Sequence, residues 1–246
     1  MTSHDGFGQV SVIVPAAGAG TRMGTKKQYL PVNNKPILQH TLERLSEMQV
    51  RQIVLVVAPD DQDFRKVPGH EACEIVTGGD TRGESVRNAL RHLKLEDADW
   101  VMVHDAARPC VRVAEIERLV AAVDDSEVGG LLAVPVIDTI KRVQESKVIA
   151  TLDRQGLWLA QTPQMFRYGV LRRAMEKALA ADIAVTDEAS AVEYLGLVPI
   201  VVEGRRDNIK VTTRADLALA AWYLEQQIGE QPDQVHGLQN KQQDQR

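Results

Sequence analysis

Val10-Ser11-Val12-Ile13-Val14-Pro15-Ala16-Ala17-Gly18-Ala19-Gly20-Thr21-Arg22-Met23 is the most informative segment of the chain. Residues 10–14 are short, β-branched and almost continuously apolar, which is how a strand buried on both faces reads. The glycines that follow let the backbone turn sharply and offer N–H groups to phosphate oxygens. Two familiar phosphate loops are rejected. G-x-G-x-x-G needs a glycine where Met23 stands, and no window supplies G-x-x-x-x-G-K-[ST]. What remains is a glycine loop with Arg22, Lys26 and Lys27 at or just beyond it, the density of positive charge a triphosphate needs. Glycines by themselves fit a tight strand–helix connection equally well; the adjacent cations weigh against that plainer reading.

On the C-terminal side the same pattern repeats. Residues 53–58, 74–77, 100–104 and 131–136 are further short Val/Ile-rich runs, read as buried strands. Between them lie apolar stripes at helical spacing: Ile37, Leu38, Leu42, Leu45 and Met48; then Val86, Ala89, Leu90 and Leu93; then Ile116, Leu119, Val120 and Val123. Strand alternating with helix predicts an α/β fold, a Rossmann-like three-layer sandwich with a mainly parallel twisted sheet. After Val136 the regularity breaks. Residues 139–144 and 147–152 alternate around Glu145-Ser146 as a polar hairpin, either a surface ribbon or an arm reaching a second subunit. Helices are expected around 171–179 and 188–195, a strand at 198–202, and a last helix after Thr213, capped through Asp216, with Leu217, Ala220, Ala221, Leu224 and Ile228 as its stripe. Residues 9–228 read as one domain with the arm at about 137–157. Residues 229–246 are Gln-rich and aperiodic, and read as a disordered tail.

Composition excludes several classes. The chain has 246 residues, 44% hydrophobic, with a net charge of −5. That mild acidity argues against nucleic-acid binding. Two cysteines, Cys73 and Cys110, rule out a disulfide framework and suit a reducing cytoplasm. No apolar run approaches the ~18 residues of a membrane helix, and the first residues lack the features of a secretory signal.

Two further motifs carry chemistry. Gly78-Gly79-Asp80-x-Arg82-x-x-Ser85 joins a strand to a helix; Asp80 or Ser85 either caps that helix or hydrogen-bonds a nucleotide. His104-Asp105-Ala106-Ala107-Arg108-Pro109 ends a buried strand, at the sheet edge where α/β proteins bind ligands. There Asp105 can hold a hydrated Mg²⁺ beside substrate phosphates, or merely cap a turn and pair with Arg108. His104 reads as structural. The six histidines show no zinc-ligand spacing. Asp97-Ala98-Asp99 precedes its strand, so it reads as a solvated turn. Asp60-Asp61-x-Asp63 reads as carboxylates at a helix start.

In order along the chain stand the glycine loop, Lys27-Gln28-Tyr29, Gly78-Gly79-Asp80, residues 104–109, Asp138-Thr139, Thr162-Pro163-Gln164, Thr186-Asp187-Glu188-Ala189-Ser190 and Asp207-Asn208-Ile209-Lys210-Val211-Thr212. On this ordered set, residues 9–228 resemble the 2-C-methyl-D-erythritol 4-phosphate cytidylyltransferase family, of nucleotidyltransferase fold. The resemblance implies transfer of CMP from CTP to methylerythritol phosphate, with Mg²⁺ as cofactor, in non-mevalonate isoprenoid synthesis. It implies nucleotide contacts from Ala16, Ala17, Gly18, Gly79, Asp80 and Ser85, metal binding by Asp105, and charge stabilisation by Arg22 and Lys27. Arg154, Thr186 and Lys210, with Arg108 and Thr139 nearby, would bind the acceptor. The family's arm exchanges between two subunits, so Arg154 would serve the partner's site in a homodimer. Where relatives often carry proline before the loop lysine, this chain has Lys26.

The chemistry agrees. A phosphate monoester, with a second pKa of about 6, is largely dianionic at neutral pH and needs no general base. The difficulty is to bring two polyanions together, which calls for positioning and cations. Arg22, Lys27, Arg154 and Lys210 supply them. The rival readings are ribitol 5-phosphate cytidylyltransferase, another sugar-phosphate nucleotidyltransferase, and a non-catalytic nucleotide-binding regulator.

Overall fold

A computed structural model describes residues 4–18 and 26–229. After a 3-10 turn, Val10–Pro15 forms β1, and Pro31–Val32 and Lys35–Pro36 form the small pair β2 and β3. Then follow α1 (Ile37–Ser46), β4 (Gln52–Val57), β5 (Cys73–Thr77), α2 (Arg82–His92), β6 (Trp100–Val103), α3 (Val113–Val123) and β7 (Gly129–Pro135). The C-terminal part is β8 (Ile140–Gln144), β9 (Lys147–Leu152), β10 (Trp158–Arg167), α4 (Tyr168–Ala180), α5 (Glu188–Tyr194), β11 (Ile200–Glu203) and α6 (Arg214–Gly229).

The main sheet has the order β11-β7-β10-β6-β1-β4-β5. Among the described strands of that sheet, β10 runs against the rest, antiparallel to both β6 and β7. The strand pairs β1–β4, β4–β5, β1–β6 and β7–β11 are parallel. Alternation along β1 shows why both faces must be covered. Val12 and Val14 enter one core with Leu38, Leu42, Ile116 and Leu119, from α1 and α3. Ile13, pointing the other way, enters a second core with Val86, Leu90, Leu171 and Met175, from α2 and α4. This is the expected three-layer sandwich. β8 and β9 pair with each other as a separate two-stranded sheet, the protruding arm.

Four expectations are corrected. β10 was not anticipated: Trp-Leu-Ala-Gln-Thr-Pro-Gln-Met-Phe-Arg has no continuous β-branched run, yet it lies between two strands. Its Pro163 sits where the pairing register shifts between Ala160 and Gln164, so no ladder N–H is missed. β5, expected to be buried on both faces, is an edge strand with Glu74 and Ile75 exposed. Ile228, expected on the buried stripe of α6, is 74% exposed, while Ala220 and Leu224 are buried. Asp216 does cap the start of α6, but it accepts from the backbone N–H of both Thr212 and Thr213 and from the Thr212 hydroxyl. The proposed tail beyond Gly229 lies outside the described residues.

Because β4 lies on one side of β1 and β6 on the other, the connections leaving β1 and β6 diverge, and a crevice opens between them. The loops after β1, β5 and β6 all meet there.

Candidate active site

Two neighbouring cavities occupy that crevice. The first, about 370 Å³, is lined by Ala16, Ala17 and Gly18 after β1, by Lys27, by Gly79, Asp80 and Ser85 after β5, and by Asp105 and Lys210. The second, about 240 Å³, is lined by Arg108, Gln164, Thr186, Asp187 and Lys210. Arg82, Asp105 and Lys210 line both. Of the residues singled out from sequence, Arg22 lies outside the described residues. Thr139 and Arg154 are exposed on the arm and line neither cavity of their own chain; the Arg154 guanidinium donates to the Ile137 carbonyl.

The nucleotide-side loops are held by backbone pairing. Ala16 N–H donates to Val56 O at 2.7 Å and Gly78 N–H to Val57 O at 2.8 Å. The buried Gln28 amide donates to Ala16 O at 2.7 Å, tying the Lys27 turn back onto the glycine loop. A Cβ on Gly78 would come within 2.6 Å of the Ala17 Cβ and 2.7 Å of Ser85 Oγ, so only glycine lets the two loops meet this closely. The expected helix cap is corrected. Thr81 caps α2 in a reciprocal box with Glu84, while Asp80 stays exposed. Ser85 Oγ donates to Thr81 O at 2.9 Å and accepts from Gly79 N–H at 3.2 Å, so it shapes the loop as well as lining the cavity.

At the junction, Asp105 is ringed by cations. Lys210 Nζ lies 2.7 Å from its carboxylate, Arg82 Nη2 3.2 Å and Arg108 Nε 3.7 Å. Burial by itself would raise this carboxyl, but the charges of Arg82, Lys210 and Arg108 outweigh it and hold Asp105 well below the usual carboxylate range. Arg82 also grips Glu188 through two bonds of 2.6 and 3.0 Å, and the Glu188 side chain is fully shielded from solvent. Burial disfavours the Arg82 charge, yet Glu188 and Asp105 more than compensate and raise its pKa. Arg82 and Glu188 were not chosen from sequence. The signal was thin: Arg82 stood inside a quoted motif, but its partner lies 106 residues away.

His104 is structural, as expected. Asp105 N–H donates to Thr162 Oγ1 at 3.0 Å, Thr162 Oγ1 faces His104 Nδ1 at 3.2 Å, and His104 Nε2 meets the Arg108 carbonyl at 3.1 Å. A carbonyl only accepts, so Nε2 carries a proton. Burial pushes its pKa down to about 4. From the ordinary value of about 6.5 down to about 4, the unfolded chain takes up a proton that folded His104 refuses, so stability is lost as pH falls. The expected loss is on the order of 2 kcal/mol at about pH 4.5. Urea midpoints at neutral and acid pH measure it, and a His104→Gln variant should lose distinctly less on acidification than the wild type.

β10 builds the other wall. Its Gln164 donates to Asp187 Oδ2 at 2.9 Å and accepts from Ala189 N–H at 2.9 Å, which fixes the start of α5 and the neighbouring Thr186. Asn208 donates to Thr162 O at 2.9 Å, and Gln161 to Arg205 O at 2.8 Å. These bonds stitch the segment carrying Lys210 to β10. Arg108 donates to Asn208 O at 2.7 Å.

Lys26 and Lys27 part company. Lys27 lines the first cavity, while Lys26 Nζ pairs with Asp61 at 3.1 Å. Asp61 stands at the start of the short turn Asp63–Lys66, as expected, and accepts from Asp63 N–H at 3.0 Å; beyond that expectation it is buried. Asp97 behaves as a solvated turn residue, pairing with Arg172 and Arg173. Among the described residues no three His, Cys, Asp or Glu side chains cluster as a metal site; Asp105 is the carboxylate that lines both cavities.

The arrangement therefore offers a glycine-walled cleft beside a second cleft, joined at cations and one ionised carboxylate. The family model described as IspD: 2-C-methyl-D-erythritol 4-phosphate cytidylyltransferase matches residues 10–226. A protein of that name from Chromobacterium violaceum is 49% identical over 219 residues, covering 85% of this chain and 94% of its own. One from Vibrio atlanticus is 46% identical over 223 residues, covering 88% and 96%. A crystal structure of the Francisella tularensis 2-C-methyl-D-erythritol 4-phosphate cytidylyltransferase superposes with a TM-score of 0.76 at 38% identity, covering 87% of this chain and 99% of that one. In fold, in the order of its motifs and over nearly its whole folded length, the chain belongs to the 2-C-methyl-D-erythritol 4-phosphate cytidylyltransferase family.

Proposed function

We propose that the two cavities are the donor and acceptor halves of one active site, in which CMP passes from CTP to 2-C-methyl-D-erythritol 4-phosphate with release of pyrophosphate, a step of non-mevalonate isoprenoid precursor synthesis. The observation that carries this reading is the shared wall: Arg82, Asp105 and Lys210 line both cavities, so two bound anions would face each other across one set of charges. The acceptor phosphate attacks the α-phosphorus of CTP, forming the new P–O bond as the bond to pyrophosphate breaks. Lys27 and Arg22 serve the α-phosphate, Ala16, Ala17, Gly18, Gly79, Asp80 and Ser85 the nucleoside, and Arg108, Thr186 and Lys210 the acceptor. Catalysis here is positioning plus electrostatics.

Mg²⁺ fits this site by its chemistry. A magnesium ion that shares substrate phosphates needs one or two protein carboxylates, and Asp105 is an ionised oxygen donor where the cavities meet. Held there, the ion would supply charge neutralisation on the phosphate oxygens. The reaction's test is pyrophosphate release from CTP. Methylerythritol phosphate should support it and ribitol 5-phosphate should not; equal or faster turnover with ATP or GTP would overturn the nucleotide assignment.

We also read the enzyme as a homodimer through residues 137–157. Ile137, Val143, Val148 and Ile149 are each more than half exposed, and a lone two-stranded ribbon needs a surface to pack on. Exchange between identical subunits supplies one and brings Arg154 and Thr139 to the neighbour's acceptor cavity. Mixing inactive Arg154→Ala and Lys27→Ala subunits should then restore activity, because one site of each mixed dimer keeps both residues. Verified subunit exchange without recovery would return Arg154 to its own subunit. No helix of the described residues is long and apolar enough to cross a membrane. Cys73 and Cys110 are free thiols, in keeping with the reducing cytoplasm where we place the enzyme.

A further inference from the structure

Lys27, Gln28 and Tyr29 form a single 3-10 turn. One buried carboxylate outside the two cavities grips that turn from both ends. Asp61, on the connection between β4 and β5, has a side chain wholly shielded from solvent. It accepts a hydrogen bond from Tyr29 Oη at 2.8 Å, pairs with Lys26 Nζ at 3.1 Å, and accepts from Asp63 N–H at 3.0 Å. Lys26 immediately precedes Lys27, and Tyr29 stands two residues beyond it. Between these two anchors, Gln28 reaches Ala16 O and Lys27 lines the donor cavity. Burial, with Asp61 beside it, raises the Tyr29 phenol far above its ordinary pKa, so it remains a donor throughout the working range.

A buried charge is a weak stabiliser, because desolvation offsets its attraction to its partners; its best-attested use is to fix one arrangement against alternatives. The two arrangements at issue here differ in which lysine faces the phosphates. We propose that Asp61 is a positioning residue for cytidylyl transfer: it grips the Lys26–Tyr29 turn so that Lys27 is held toward the CTP phosphates and Lys26 away from them. This rests on the reading of Lys27 as the α-phosphate cation.

The test follows both the geometry and the rate in the full-length protein. Lysine acetylation by an N-hydroxysuccinimide ester, mapped by peptide mass spectrometry, is measured with and without saturating CTP. In the wild type CTP shields Lys27; in Asp61→Asn the shielding falls and Lys26 becomes the protected residue. The kcat of Asp61→Asn falls on the order of tenfold, the scale expected for a misplaced reacting group, with the KM for the acceptor unchanged. In a Lys27→Ala background the same substitution costs less than about twofold, because the two residues act through one another. Equal shielding of Lys27 in wild type and variant, or a kcat loss that adds fully to that of Lys27→Ala, overturns the proposal and leaves the role of Lys27 intact. No shielding in the wild type overturns the role of Lys27 and the proposal with it. If Asp61→Asn does not fold, Tyr29→Phe removes one anchor and is read in the same way, with a smaller expected loss.

Discussion

Replacing Asp105 with Asn lowers kcat/KM for pyrophosphate release by about 10³-fold and destabilises the fold by about 3 kcal/mol. The substitution is nearly isosteric, so packing changes little. What changes is charge. Asp105 is the shared counterion of Lys210, Arg82 and Arg108, at 2.7, 3.2 and 3.7 Å. Without it, Arg82 keeps Glu188, while Lys210 and Arg108 lose the counterion they share. Removing one member of a buried charge cluster strands the others, which costs more than the intact cluster contributes. The catalytic loss has a separate origin. The same carboxylate is the proposed Mg²⁺ ligand and pairs with Lys210 and Arg108, the proposed acceptor ligands, so its loss acts on the transition state. Thermal denaturation and steady-state kinetics on one preparation separate the two effects. Because the charges around it hold the Asp105 carboxyl below its ordinary range, its contribution to stability is complete above the unfolded value of about 3.9 and is lost only as pH falls further. The wild-type pH–rate profile therefore shows no inflection from Asp105 near neutrality. A variant with more than about a tenth of wild-type kcat/KM would remove Asp105 from the reaction.

Lys27→Ala lowers kcat by about 10²- to 10³-fold, whereas Lys26→Ala costs less than about tenfold. The two side chains are chemically identical and adjacent, so the contrast is purely one of placement. Lys27 lines the donor cavity beside the glycine loop. Lys26 is committed to Asp61, with Asp63 4.0 Å away. A preorganised cation at a developing phosphate charge acts mostly on the transition state, so kcat and kcat/KM should fall together. Loss of Lys26 removes one anchor of the turn, but Tyr29 still holds it to Asp61 at 2.8 Å. Steady-state kinetics at varied CTP decide the matter. A Lys27→Ala enzyme that merely needs more CTP, with kcat intact, would make Lys27 a ground-state ligand.

How far the site was legible follows from how each residue is held. Ala16, Ala17, Gly18, Gly79, Ser85 and Asp105 could be placed because they sit in short motifs directly after recognisable strands, and strand ends in an α/β sheet converge by topology. Arg82 sits within such a motif, but nothing local marks it, since an arginine on a helix's first turn is ordinarily solvated. Only Glu188, brought from a distant helix, turns it into a buried bridge. Asp61 is legible only in part: it accepts from Asp63 N–H at the start of a short turn, as neighbouring carboxylates suggest, while Tyr29 and Lys26 reach it from another loop.

The parallel α/β frame, the two-faced core and the positions of the glycine and Asp105 loops are written in local residue pattern. These rest on local periodicity: β-branched runs cannot leave either face in water, and 3.6-residue stripes must cover them. β10, the edge exposure of β5 and the choice of which charges meet depend instead on long-range packing. β10 is a strand because β6 and β7 pair with both of its edges and bury its centre, which overrides a polar, proline-bearing sequence. The bridge from Arg82 to Glu188 and the grip of Asp61 on Tyr29 are set by where the chain returns, over 106 and 32 residues, and no local pattern encodes a return.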